Sequence, residues 1–278
     1  MAITTLTQVV DGMLPTVVVA KTAESSANSN SQMLTNWYSV GYPPTATANT
    51  SGVSGQALTS SPAALPFKNP VSGNSYLTGF LSTYYLTINN TSQRSTLMVD
   101  RLWENSGLSP TVTTAQTVNS VAWPARDLDE STNGRGVFIA VEVSSALGAG
   151  AGSGLVSISY TNSAGVAGKT AGSLYSTRAS APEGHWFPIG LAAGDVGVRS
   201  IQSFTLSATW GAGTIHLVAY RPIAMIGAGG RREKTAAEDA LTLGMPPIWN
   251  NSVLQLVGNM TGNGSSMGGS WKYTVSQG

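Results

Sequence analysis

Between residues 75 and 223 the apolar positions recur with period two. Phe80, Ser82, Tyr84, Leu86 and Ile88 alternate with Leu81, Thr83, Tyr85 and Thr87, and Leu97, Val99, Arg101 and Trp103 follow in the same rhythm. Val137, Ile139, Val141 and Val143 form the cleanest apolar face, opposite Phe138, Ala140 and Glu142. "TVTTAQTVNSVAW" (111–123), "LVSISY" (155–160), "RSIQSFTLSATW" (199–210) and "TIHLVAYRPI" (214–223) read as further strands, the last two joined across "GAG". "HWFPIGL" (185–191) holds Pro188 and is expected at a sheet edge. Successive side chains of a strand face opposite ways, so this alternation requires sheets with one face buried. About eight short strands, separated by Gly, Asn and Ser turns with no helical period between them, predict an all-β fold: an antiparallel, jelly-roll-like β-sandwich over 75–225.

The flanks read differently. Ile3, Leu6, Val9, Val10, Met13 and Leu14 suit one face of a short helix closed by Pro15, and the threonines among them suit a strand nearly as well. "PTVVVAKT" is a strand-sized run, and a helical turn is expected around Met33–Trp37. From Tyr42 to Asn74 Pro, Gly, Ser and Thr dominate and no hydrophobic period survives. Residues 1–74 are therefore expected to be an N-terminal arm. At the other end, 226–278 is expected to form a Gly hinge, a helix and a second arm. The helix is placed at "TAAEDALTLG", with Thr235 as N-cap, Glu238 closing a capping box and Gly244 ending it.

Composition narrows the chemistry. Charged residues are 10% of the chain, where about 25% is ordinary, and the net charge is +1. No basic footprint for nucleic acid exists. With no cysteine there is no disulfide, thiolate nucleophile or Cys-ligated zinc. The first residues carry no basic n-region and do not read as a signal peptide. No window reaches the ~18 apolar residues of a membrane helix.

Against that background "RDLDESTNGRG" (126–136) stands out, with five ionisable side chains in eleven positions. Asp127, Asp129 and Asn133 are weak candidates for a metal site, since Asp129, Ser131, Asn133 and Gly134 imitate the start of a calcium loop. Ala140 stands at the twelfth position of that loop and supplies no carboxylate. The simpler expectation is a hydrophilic crossover between two strands, outside the packed sheet.

The two histidines, His185 and His216, sit in no nucleophile motif and are too few for a histidine metal site. "GAGGRREKT" fails the phosphate-loop spacing: Gly227 and Lys234 are seven apart and Glu233 replaces the second Gly. Arg231, Arg232 and Lys234 are instead expected to make an ionic contact with a neighbour or simply to solvate a hinge. Trp37, Trp103, Trp123, Trp186, Trp210, Trp249 and Trp271 are spread along the chain, which suits cores and interfaces better than a sugar-stacking platform. Trp37, Tyr38, Trp249 and Trp271 are expected to anchor the arms at an interface. No catalytic residue and no cofactor is assigned.

The segments "LMVDRLWENSGL", "TTAQTVNSVAWPARDLDESTNGRGVFIAVEVSSA", "ISYTNSAGVAGKTAG" and "LAAGDVGVRSIQSFTLSAT…GTIHLVAYRPI" resemble a family of tailed-bacteriophage virion structural proteins, most readily head or capsid-associated ones. The resemblance covers roughly residues 76–223, and more weakly "GQALTSSPAALPF". It implies a head component; with the shortage of reactive groups, the expectation is a non-enzymatic decoration or cement protein on the exterior of the phage head. Its expected partners are the major capsid protein and further copies of itself, a trimer among the options, with neither nucleic acid nor membrane. Two other readings stay open: a tail or baseplate structural protein, and a host-glycan-binding module.

Overall fold

The computed structural model describes residues 5–21, 37–40, 55–59, 64, 65, 67, 74–85, 94–118, 120–172, 179–182, 184–228, 234–260 and 268–278. In chain order its elements are α1 (Leu6–Asp11), β1 (Val17–Lys21), β2 (Trp37–Val40), β3 (Gln56–Ala57), β4 (Ser75–Tyr85), β5 (Arg94–Leu108), β6 (Gln116–Thr117), β7 (Phe138–Ser145), β8 (Val156–Asn162), β9 (Lys169–Gly172), β10 (His185–Ile189), β11 (Val198–Leu206), β12 (Thr214–Ala228), β13 (Lys234–Asp239), α2 (Ala240–Leu243), β14 (Pro247–Ile248), β15 (Leu254–Met260) and β16 (Gly268–Gln277). A short 3-10 turn at Ala149–Gly152 precedes β8. The fold is all-β and antiparallel, a sandwich with two short α-helices among the described residues.

Three sheets share the work. β1, β16, β4 and β13 lie side by side in that order, with β14 also paired to β4. A second sheet runs β6-β11-β8-β9. The third runs β12-β7-β10-β2-β15-β5-β3, and an additional β12–β5 pairing closes six of these strands into a ring. β5 and β12 are the longest strands and pair from Leu108–Ile215 to Arg94–Ala228, through three register shifts. Those shifts bend the pair enough to serve two cores at once.

One half of this central sheet carries Ile139, Val141 and Val143 of β7 and Ile215, Leu217 and Ala219 of β12 against Ile158, Tyr160, Ile201 and Phe204 of the four-stranded sheet. The other half carries Met98, Ile226, Leu254 and Leu256 against Leu77, Phe80, Trp271 and Tyr273. The opposite face of the central sheet, inside the ring, holds a small third core of Val99, Ala140, Trp186, Val218, Tyr220 and Val257.

Several expectations need correction. The flanks are not free arms where they are described: β1 pairs with β16, β2 with β10 and β15, β3 with β5, and β16 with β4 along nearly its whole length. Long-range ladders satisfy backbone groups that the sequence pattern alone left unassigned. The expected turn before Trp37 lies outside the described residues, as does most of the Tyr42–Asn74 segment, while Trp37–Val40 is strand.

β10 is not an edge. It lies between β7 and β2, and it tolerates Pro188 because pairing with β2 is confined to His185 and Trp186. Segment 111–123 keeps only the two-residue β6. "GAG" joins no hairpin, since β11 and β12 belong to different sheets.

The C-terminal helix shrinks to one turn. Lys234–Asp239 is drawn into a ladder on β4, so sheet pairing overrides helix propensity, and the N-cap moves from Thr235 to Asp239. Asp239 accepts from the backbone N–H of Leu241 and Thr242, and Gly244 ends the turn in the left-handed region at φ 65°. These bonds, with the Thr242 hydroxyl foremost, hold the Asp239 carboxyl below its ordinary range. At the N-terminus the helical reading holds: Thr5 and Gln8 form a capping box on α1.

Candidate functional site

The "RDLDESTNGRG" segment is a solvated crossover along one side only, where Leu128, Asp129, Glu130, Thr132, Asn133 and Arg135 are exposed. Arg126 and Asp127 are buried, and the loop is built around the Asp127 carboxylate. Its Oδ1 accepts from the N–H of Asp129 (2.9 Å) and Ser131 (2.7 Å). Its Oδ2 accepts from the Ser131 hydroxyl (2.8 Å) and the N–H of Gly134 (2.9 Å) and Arg135 (3.1 Å). The calcium-loop imitation thus has a different use. Asp129 and Ser131, two of the positions that would ligate a cation, present donors to the Asp127 carboxylate, and a cation on that carboxylate would have to displace its hydrogen bonds.

Asp129 points outward to Arg135 (2.6 Å), both about half exposed. Asn133 is exposed, its N–H donating to the Ser131 hydroxyl. Gly134 is required as glycine: its φ is +83°, and a Cβ there would lie 1.8 Å from the Val198 carbonyl oxygen. Among the described residues no group of three or more His, Asp or Glu is placed to hold a metal ion.

Arg126 links this loop to a first buried ion network. Its Nε and Nη2 donate to the two carboxylate oxygens of Asp100 (3.0 and 3.1 Å), and Nη2 also donates to the Arg101 carbonyl (2.9 Å). Asp100 further accepts from the Ser252 hydroxyl (2.7 Å) and the Val253 N–H (2.8 Å). Arg221 approaches the same carboxylate at 3.8 Å, donates to the Pro247 carbonyl (3.0 Å) and lies 5.9 Å from the Trp249 ring. Burial lowers the Arg221 pKa, and the Asp100 charge works against that. Strand alternation puts Asp100 on the face of β5 shared by Met98 and Leu102. The network therefore fills the seam between the two large cores.

A second network occupies the ring face. Arg101 donates to Glu104 (2.7 Å) and Gln255 (3.0 Å) and pairs with Glu142 at 2.9 Å; Gln56 donates to Glu104 (3.3 Å). Burial opposes the Arg101 charge, but Glu142 and then Glu104 outweigh it and hold the guanidinium above its ordinary pKa. The Trp186 ring lies 5.8 Å from that guanidinium. A third group ties the 190–197 loop to the four-stranded sheet: the Tyr160 hydroxyl donates to Asp195 Oδ2 (2.5 Å), and Asn162 donates to Oδ1 (2.8 Å).

The expected interface residues are distributed otherwise. Trp271 is fully buried and donates to the Thr96 hydroxyl (2.9 Å); Trp249 is nearly so and donates to the Asp127 carbonyl (2.7 Å). Both anchor the C-terminal segment to this molecule's own sheets, which corrects their reading as anchors on a neighbour. Trp37 and Tyr38 lie in β2 between β10 and β15. Lys234 opens β13, and Arg231 and Arg232 lie outside the described residues. Trp103, Trp123, Trp186 and Trp210 are also buried, so none of these rings can stack on a sugar.

Sequence reasoning missed Asp100, Arg101, Glu104, Glu142 and Arg221. The available signal was their placement: ionisable residues inside strands of a charge-poor chain have to be paired.

No family model matches the chain, and no curated protein matches it. Among solved structures, the subviral particle of infectious bursal disease virus VP2 aligns over 96% of this chain and 81% of that one, at 8% identity and a TM-score of 0.19. The Gt strain of the same virus aligns with the same values. A likeness at that level carries no argument.

Proposed function

We propose that the chain is a non-enzymatic structural protein of a virion, a decoration or cement protein that binds the major capsid protein and further copies of itself on the exterior of a phage head. The observation that carries this reading is where reactive groups and apolar groups lie. The buried carboxylates and guanidiniums are engaged in bonds that hold strands together, while large apolar side chains stand in solvent at the N-terminal end. α1 buries Val9 but leaves Leu6 71%, Val10 60% and Met13 51% exposed, and Val18 of β1 is 58% exposed. Exposed apolar groups beside few charges suit contact with a neighbour, since little ion desolvation opposes docking. The resemblance of residues 76–223 to phage virion proteins supports the same direction.

Co-sedimentation of the purified full chain with phage heads lacking their decoration layer tests the proposal. Binding is expected to saturate and to weaken at least tenfold in a Leu6→Ser/Val10→Ser double variant. A chain that remains monomeric and never sediments with heads overturns the proposal. Immunogold labelling of virions that marks only tails would move the protein to the baseplate or tail.

A further inference from the structure

The two buried ion networks differ in one respect. At the seam, Asp100 faces two guanidiniums, those of Arg126 and Arg221. On the ring face one guanidinium, Arg101, meets two carboxylates, Glu104 and Glu142, and a buried histidine belongs to the same interior. In the antiparallel register His216 of β12 lies directly opposite Glu142 of β7. Alternation places His216 on the face of Val218 and Tyr220, and Glu142 on the face of Ala140, which is the same interior. Directly opposed residues have Cβ atoms about 4.5–5.5 Å apart, within reach of an imidazole and a carboxylate. Both residues are buried, at 3% exposure.

We infer that His216 and Glu142 form a proton-bearing imidazolium–carboxylate latch inside the ring of strands, holding β12 to β7 at neutral pH and loosening as pH rises. Burial alone would favour the neutral imidazole, but a carboxylate directly opposite in register favours the charged one. The groups of this interior are identifiable. β5 supplies Arg101 and Glu104, its stretch between Asn105 and Leu108 being the one beside His216 in register, and β7 supplies Glu142. β12 itself supplies Tyr220, whose phenol is pushed up by burial and stays neutral. β15 and β3 contribute the uncharged Gln255 and Gln56, and β10 contributes Trp186. His185 on β10 falls on the opposite face by alternation, and its register partner on β2 is Tyr38. Arg101 opposes the second cation, but it is shared between two carboxylates. The latch closes the ring where β7 is the inner neighbour of both β10 and β12.

A folded-state pKa above the unfolded value of about 6.5 means stability that is full below pH 6.5 and lost as pH rises through the folded pKa. Histidine ring-nitrogen NMR on the full chain, pH 5 to 9, tests this, with His185→Asn used for assignment. His216 is expected to carry both ring protons at pH 7 and to titrate at least one unit above 6.5. Glu142→Gln is expected to lower that midpoint tenfold or more in proton affinity. A neutral His216 at pH 7, or a midpoint unmoved by Glu142→Gln, overturns the latch. Should Glu142→Gln fail to fold, the pH profile of Tm decides: the decline between pH 6.5 and 9 is expected to vanish in His216→Asn, and a profile parallel to the parent overturns the inference.

Discussion

The indole N–H of Trp249 donates to the backbone carbonyl of Asp127 at 2.7 Å, across 122 positions of sequence. This bond fastens the segment after α2 to the most charged loop of the chain, and the same ring lies 5.9 Å from the Arg221 guanidinium. Trp249→Phe keeps an aromatic ring in place and removes only the donor. It is expected to cost about 1–2 kcal/mol, the penalty of one buried carbonyl losing its partner. Trp249→Ala removes the ring as well and is expected to cost about 3–5 kcal/mol. Urea denaturation of the two variants separates these contributions.

Asp127 is the centre of its loop, and five donors converge on one carboxylate. Asp127→Ala leaves the Gly134 N–H, buried, without its acceptor and is expected to cost about 3 kcal/mol or more. Asp127→Asn retains one acceptor oxygen and is expected to cost about half as much. Millimolar calcium is expected to leave Tm unchanged, because the carboxylate is already surrounded by N–H and O–H groups. A rise of several degrees would restore the cation reading of Asp127, Asp129 and Asn133.

The alternation at Val137–Val143 made β7 legible, as did the matching runs that became β8, β11 and β12. Period two is a direct imprint of a half-buried sheet, so the fold class was readable from sequence. What alternation cannot carry is partnership. Nothing in "SWKYTVSQ" states that it will lie against "SYLTGF" two hundred residues earlier, and so the C-terminal strand looked like an arm.

The same limit explains Lys234–Asp239. Its local text favours a helix, but its ladder on β4 decides. At the candidate site, the sequence marks Asp127 only as a weak cation ligand and hides its burial, because four of its five donors are backbone N–H groups with no signature of their own. Asp100 and Arg101 were visible in "LMVDRLW" as charges flanked by apolar residues. Their partners, Arg126, Glu142 and Ser252, lie on other elements.

Asp100 is fully buried and accepts from Arg126 twice, from the Ser252 hydroxyl and from the Val253 N–H. Asp100→Ala therefore strands a buried guanidinium at the seam of two cores and is expected to cost about 3–5 kcal/mol. Asp100→Asn keeps the shape and an acceptor and is expected to fold with a smaller loss. Circular dichroism melts of both, with Arg126→Met beside them, give the comparison. Equal Tm values for Asp100→Ala and the parent would mean that the seam does not depend on this carboxylate.

Tyr160 and Asp195 shift in opposite directions for related reasons. Burial first, then the bond to Asp195, raises the Tyr160 phenol, while the Tyr160 hydroxyl, followed by the Asn162 amide, holds Asp195 below its ordinary range. For Asp195 the contribution to stability is present above the unfolded carboxyl pKa of about 3.9 and is lost as pH falls through the lower folded value. For Tyr160 it is present below about pH 10 and is lost as pH rises through the raised folded value. Tyr160→Phe removes the shared bond and leaves the ring packed. Carboxyl-detected NMR titration of that variant is expected to show Asp195 moving up toward the ordinary carboxylate value. Hydrogen exchange is expected to speed at the Ala192 amide, which donates to the Tyr160 hydroxyl at 3.0 Å. An Asp195 midpoint that does not move would show that Asn162 and Lys169 suffice to hold the 190–197 loop.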